Sequence, residues 1–120
     1  MRSINLVAVF SRFSDHWSPK VIGDINDMQI KAVKLRGEFV WHRHEAEDEL
    51  FLVHRGRLLM RFRDREVWVK EGEFLIVPQG VEHQPVAERE CEVILLEPRS
   101  TLNTGNVRNE RTVEELERLA

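Results

Sequence analysis

Residues 37–56 read GEFVWHRHEAEDELFLVHRG: two histidines one residue apart, a cluster of acids, then an apolar run closed by glycine. Side chains alternate faces in an extended chain, so His42 and His44 share one face and Arg43 takes the other. Glu45, Glu47 and Asp48 form an acidic turn, and Glu49 opens the next stretch with Phe51 and Val53 on its own face. Leu50 and Leu52 take the opposite face. Histidine and glutamate are costly to bury without partners, so these side chains either line something wet or hold something charged.

Outward from this stretch the chain keeps the same rhythm. QIKAVKLRG, RLLMRFRDREVWVKEG, EFLIVPQG and CEVILLEP are short, rich in Val, Ile, Leu and Phe, and bounded by Gly37, Gly56, Asp64, Gly72, Pro78, Gly80 and Pro98. Such spacing predicts an antiparallel barrel or sandwich over about residues 29–98, with a tight hairpin about Asp64 and Arg65. No helical crossover separates the strands, which excludes a parallel α/β sheet. Before this core, residues 1–28 mix helix and loop. Leu6, Val9, Phe10 and Phe13 fall at helical spacing behind a cap at Ser3, and Pro19 ends the pattern. Trp17 is read as a packing residue rather than a lid. After the core, residues 99–120 begin as a polar loop, and Thr112 with Glu115 forms a capping-box signature for a short terminal helix. The whole, 1–120, is read as one all-β domain with short N- and C-terminal helices.

A third histidine completes the constellation. In GEFLIVPQGVEHQP, His83 follows a turn set by Pro78 and Gly80. An imidazole pair at i and i+2, a carboxylate across a turn and a further imidazole can converge inside a small barrel. Three nitrogens and one carboxylate oxygen suit a first-row divalent metal and leave coordination positions open. His16 and His54 are read as surface or satisfied histidines, the latter because its strand parity opposes Glu49. Asp48 competes with Glu49 for the carboxylate position. Glu82 is read as a surface residue and Cys91 as a small buried hydrophobe. Phe51, Val53, Phe62 and Phe74 are the candidates to line the barrel, with Gln84 as a polar contact.

These residues carry a family resemblance. Gly37, His42-x-His44, Glu49 and Gly56 resemble the first conserved motif of the cupin superfamily, and Gly72, Pro78-x-Gly80 and His83 resemble the second. Four residues rather than the usual five separate Gly37 from His42, and Ala87 stands where an asparagine often closes the second motif. Neither departure removes a ligand. The chain looks like a small single-domain cupin of the mannose-6-phosphate isomerase-like kind. The resemblance implies a double-stranded β-helix, or jelly-roll barrel, with a divalent transition metal (Mn, Fe, Zn, Ni or Co) held by His42, His44, Glu49 and His83. It implies action on a small polar metabolite, isomerase-like or dioxygenase-like. The rival expectation is a non-catalytic small-molecule-binding or sensor cupin. No catalytic acid or base stands out.

Composition narrows the partners. A net charge of −3, with Lys and Arg interleaved among acids, argues against nucleic acid and anionic membranes. The opening MRSINLVAVFSRFSDHW is interrupted too early for a signal peptide or a span. A single cysteine fits a reducing compartment, so the expected location is the cytoplasm. Several strands are apolar on both faces, so the outer face needs the terminal helices and the second subunit of a homodimer to cover it.

Overall fold

Asn26 and Asp27 make the first hairpin, with Asn26 in the left-handed region (φ 55°) that short polar residues tolerate. They join β1 (Lys20–Ile25) to β2 (Met28–Glu38), with Ile25 opposite Met28. β3 (Glu49–Arg55) and β4 (Arg57–Phe62) meet at Gly56, whose φ of 87° turns the chain where a Cβ would press 3.0 Å from the Glu90 carbonyl oxygen. β4 returns as β5 (Glu66–Lys70) through the turn expected at Asp64 and Arg65, where the Phe62 N–H donates to the Arg65 carbonyl at 2.7 Å. β6 (Phe74–Val77), β7 (His83–Pro98) and the short β8 (Glu117–Arg118) complete the chain, preceded by one helix, α1 (Leu6–Phe10). The computed structural model describes all 120 residues.

β7 organises the sheet. It pairs antiparallel with β2 along most of its length on one side. On its other side β4 takes residues 83–86 and β3 takes residues 92–96. One long strand thus serves two partners in succession, and the sheet wraps. A bulge between Leu35 and Gly37, with Gly37 at φ 84°, bends β2 where this wrapping occurs. The inner face closes on a core that includes Val33, Leu35, Phe51, Val53, Leu58, Met60, Val93 and Leu95. Alternation along β3 puts Glu49, Phe51 and Val53 inside, as its sequence parity requires. Cys91 is fully buried in the same core, and burial pushes its thiol up to about 12.

A second, smaller cluster lies on the outer face. Val9 and Phe10 of α1 pack there against Ile22, Ala32 and Ile94. The helix is real but only five residues long, and its cap is Asn5, whose side chain accepts from the Ala8 N–H at 2.9 Å, rather than Ser3.

Three expectations need correction. The terminal helix from Thr112 does not form. The Thr112 hydroxyl bonds Thr104 and accepts from the Asn109 N–H, and residues 117–118 pair with β1 in parallel instead. The sheet begins at Lys20 rather than 29, because residues 20–25 form the first strand. Phe74 does not line the barrel: it is 62% exposed on β6. No helix is long and apolar enough to cross a membrane.

Candidate metal centre

The backbone fixes the histidines before any metal is considered. Residues 39–44 are extended but lie outside the ladders, tied to β7 by one bridge. The His42 N–H donates to the His83 carbonyl at 3.0 Å, and the His83 N–H donates back at 2.9 Å. The two imidazoles therefore stand side by side, ring centroids 4.3 Å apart. The Pro78–Gly80 turn is stitched to the acidic turn: the Gly80 N–H reaches the His44 carbonyl at 2.8 Å and the Gln79 N–H reaches the Asp48 carboxylate at 2.8 Å. The C-terminal loop holds the other flank. The Asn106 N–H donates to the Arg43 carbonyl at 3.0 Å, and the Arg43 N–H donates to the Asn106 side chain at 2.9 Å.

His42, His44, Glu49 and His83 are all buried, with one ligand-type atom from each within 4.8 Å of the others. All four positions expected from the sequence converge. In His42 and His83 the Nδ1 contacts a backbone carbonyl (Val40 and Val81, each 2.9 Å), so in the neutral ring Nδ1 carries the proton and Nε2 keeps its lone pair. His44 has no hydrogen-bond partner on either ring nitrogen, and His83 Nε2 and Glu49 Oε1 have none either. His44 Nε2 lies 3.1 Å and His83 Nε2 3.6 Å from Glu49 Oε1 without hydrogen-bond alignment. Ligands on one divalent ion at ~2.0–2.2 Å stand roughly 3–4 Å apart, the spacing of these two pairs. Orphaned buried donors at that separation fit a metal; they do not fit a satisfied polar core.

Electrostatics prepare the set. Burial, and then the neighbouring His83, lowers His42 to about 4, so it stays neutral as a ligand must. Burial works against the Glu49 carboxylate, but the neighbouring Glu97, His44 and His83 side chains outweigh it and hold Glu49 well below the usual range. Glu97 moves the opposite way, raised by burial and by the Glu49 charge. Its Oε1 meets Lys31 Nζ at 2.8 Å, both residues about 1% exposed.

Glu97 and Lys31 are site residues the motif reading passed over. Strand parity carries the signal: Glu97 follows Cys91, Val93 and Leu95 at period two, and Lys31 precedes Val33 and Leu35. Glu97 lines a small cavity of about 40 Å³ with His42, Glu49, Phe39, Phe51 and Trp17. Trp17 both packs, as expected, and forms part of this mouth.

The remaining candidates are engaged elsewhere. His16 bonds Glu90 at 2.7 Å, and His54 meets Glu92 at 3.1 Å and stacks on Phe10. Glu45 pairs with Arg43, Glu47 accepts from Ser100 and Glu82 pairs with Arg63 at 2.6 Å. Gln84 is a brace rather than a cavity contact, donating to the Phe39 carbonyl at 2.9 Å and accepting from Arg61 at 3.0 Å.

Residues 32–97 match the family model described as "Cupin domain", which is more than half of the chain. The chain is a cupin. A cupin-2 domain containing protein from Shewanella frigidimarina is 49% identical, with a TM-score of 0.79 over 80% of this chain and 94% of that one. "Uncharacterized protein YdbB" of Bacillus subtilis is 30% identical over 104 residues, 78% of this cupin and 92% of that protein. "Putative dioxygenase SSO1533" of Saccharolobus solfataricus is 28% identical over 71 residues, which are 59% of this cupin and 18% of that longer protein. The mostly β architecture fits the double-stranded β-helix of the family.

Proposed function

We propose that this cupin holds a divalent transition metal on His42, His44, Glu49 and His83 and uses it to act on a small polar metabolite. The observation that carries this is the set of buried, unpartnered nitrogen and oxygen atoms at ligand spacing, opening onto a cavity. Such an ion, when bound, supplies Lewis acidity toward a carbonyl or, if it is iron, access to dioxygen chemistry.

The chain's own residues do the rest. Phe39, Phe51, Val33 and Leu95 present apolar walls that exclude water. Outside the four ligands, Glu97 is the acid–base side chain that lines the cavity, which places it to exchange a proton with a bound molecule. This geometry favours an enzyme of isomerase-like or dioxygenase-like type over a passive binder, and the name of the Saccharolobus relative is in keeping with the second type. The smallness of the cavity favours the alternative, a non-catalytic binding or sensor cupin, and marks it as the second reading.

Metal-loaded protein offered small polar metabolites, with oxygen uptake and product NMR as readouts and His44→Ala as the blank, tests the proposal. Turnover that vanishes in the variant supports an enzyme. Binding without turnover supports the sensor reading, and neither binding nor turnover overturns both. The lone buried cysteine accords with a cytoplasmic, reducing setting for this work.

A further inference from the structure

Arg111, in the C-terminal loop outside the span that matches the cupin family model, lies against two rings that line the metal cavity. Its backbone is fixed on both sides by asparagine side chains. Its N–H donates to Asn109 Oδ1 at 2.8 Å, and its carbonyl accepts from Asn103 Nδ2 at 2.8 Å. Asn103 itself lines the cavity. The guanidinium then lies over two mouth rings, 5.6 Å from the centroid of Trp17 and 5.9 Å from that of Phe39. Those rings are stacked on each other at 4.6 Å, and the Phe39 ring stands edge-on to ligand His42 at 5.4 Å. Arg111 is thus one aromatic ring away from the metal ligands.

No carboxylate of the protein answers the Arg111 charge. Neighbouring arginines are engaged: Arg43 pairs with Glu45 and Arg108 with Glu114. Arg111 is half-buried, makes no ion pair, and spends none of its side-chain donors on the protein. A planar fork of N–H donors, stacked on rings and held by its own backbone, is pre-organised for a carboxylate. Charge balance points the same way. Of the two carboxylates that line the cavity, Glu97 pairs with Lys31, which leaves Glu49 against a divalent ion; the total is positive, so an anionic ligand compensates the site where a neutral one does not.

We propose that Arg111 is the anion anchor of this cavity, and that its ligand is a small organic carboxylate. The acid group pairs with Arg111, the body lies along Phe39 and Trp17, and a small polar head reaches the metal. The inference rests on reading the four-residue cluster as a metal centre and deepens it by naming the ligand class.

The test uses full-length protein loaded with zinc. Calorimetry with acetate, pyruvate, glutarate and 3-phenylpropanoate, each beside its primary amide, compares acid with neutral partner in wild type, Arg111→Met and Arg111→Lys. At least one acid is expected to bind wild type about tenfold or more tightly than its amide. Arg111→Met should abolish that preference at unchanged zinc content, and Arg111→Lys should restore part of it. No acid preferred over its amide, or an acid bound equally well by Arg111→Met, overturns the proposal. Wild type that takes up neither zinc nor manganese, iron, nickel or cobalt overturns the metal-centre reading beneath it, which is a separate and visible failure.

Discussion

Lys31 and Glu97 form an ion pair at 2.8 Å with almost no exposure, and each alone would be a buried charge without a partner. Breaking such a pair from one side costs about 3–5 kcal/mol, whereas replacing both members by apolar residues is often neutral or stabilising. Lys31→Met should therefore destabilise the protein by about 3 kcal/mol, less where Glu97 takes up a proton, and Lys31→Met with Glu97→Leu should recover most of the loss in urea denaturation. His42 gives a prediction in pH. Its folded value near 4 lies below the ordinary 6.5, so between pH 6.5 and about 4 the unfolded chain binds a proton that the folded chain does not. Stability of the metal-free protein should fall on acidification across that window, and His42→Gln should flatten the fall. At this scale the four ligands were legible because their spacing and turn residues form a pattern. Lys31 and Glu97 were not, because charge in a strand is ordinarily read as surface, and their burial depends on a partner 66 residues away.

The elements that aim the ligands are turns and one strap. The turn at Pro78–Gly80 was legible in its residues. The strap was not, since polar residues 99–111 read only as loop, yet residues 105–106 lie directly against the His42–His44 segment. Gly105 sits at φ 56°, where a Cβ would overlap the Arg43 carbonyl and come within 3.1 Å of the His42 ring. Gly72 has a similar backbone (φ 80°) but open space where its Cβ would be. Gly72→Ala should thus cost only the left-handed backbone, about 1–2 kcal/mol. Gly105→Ala should cost more in thermal unfolding and also weaken metal binding, because the strap must lift from His42. Equal effects of the two substitutions would show that the strap does not support the site. The missing terminal helix teaches the same lesson: the capping signature at Thr112 and Glu115 was local, and the open edge of β1 at Lys20 and Val21 offered residues 117–118 a tertiary alternative.

For the whole molecule, the all-β class and the barrel-like wrapping followed from apolar alternation and turn spacing, while coverage of the outer face did not. α1 covers the region around Ala32 and Ile94. β6 pairs only with β3, and its Phe74 and Ile76 are 62% and 52% exposed. An unpaired edge bearing apolar side chains is a surface that a second copy can match about a two-fold axis. We accordingly propose a homodimer through this edge. Sedimentation velocity at micromolar concentration should report twice the mass of the 14.2 kDa chain, and Ile76→Lys should return it to monomer. A wild-type monomer under those conditions would remove the proposal.

The central claim is the metal on His42, His44, Glu49 and His83, and elemental analysis of protein purified without chelator or a histidine tag tests it most directly. The account predicts close to one transition-metal ion per chain, lost in folded His44→Ala and kept in His54→Ala. Wild-type protein that arrives without metal and refuses added manganese, iron, zinc, nickel and cobalt would contradict it.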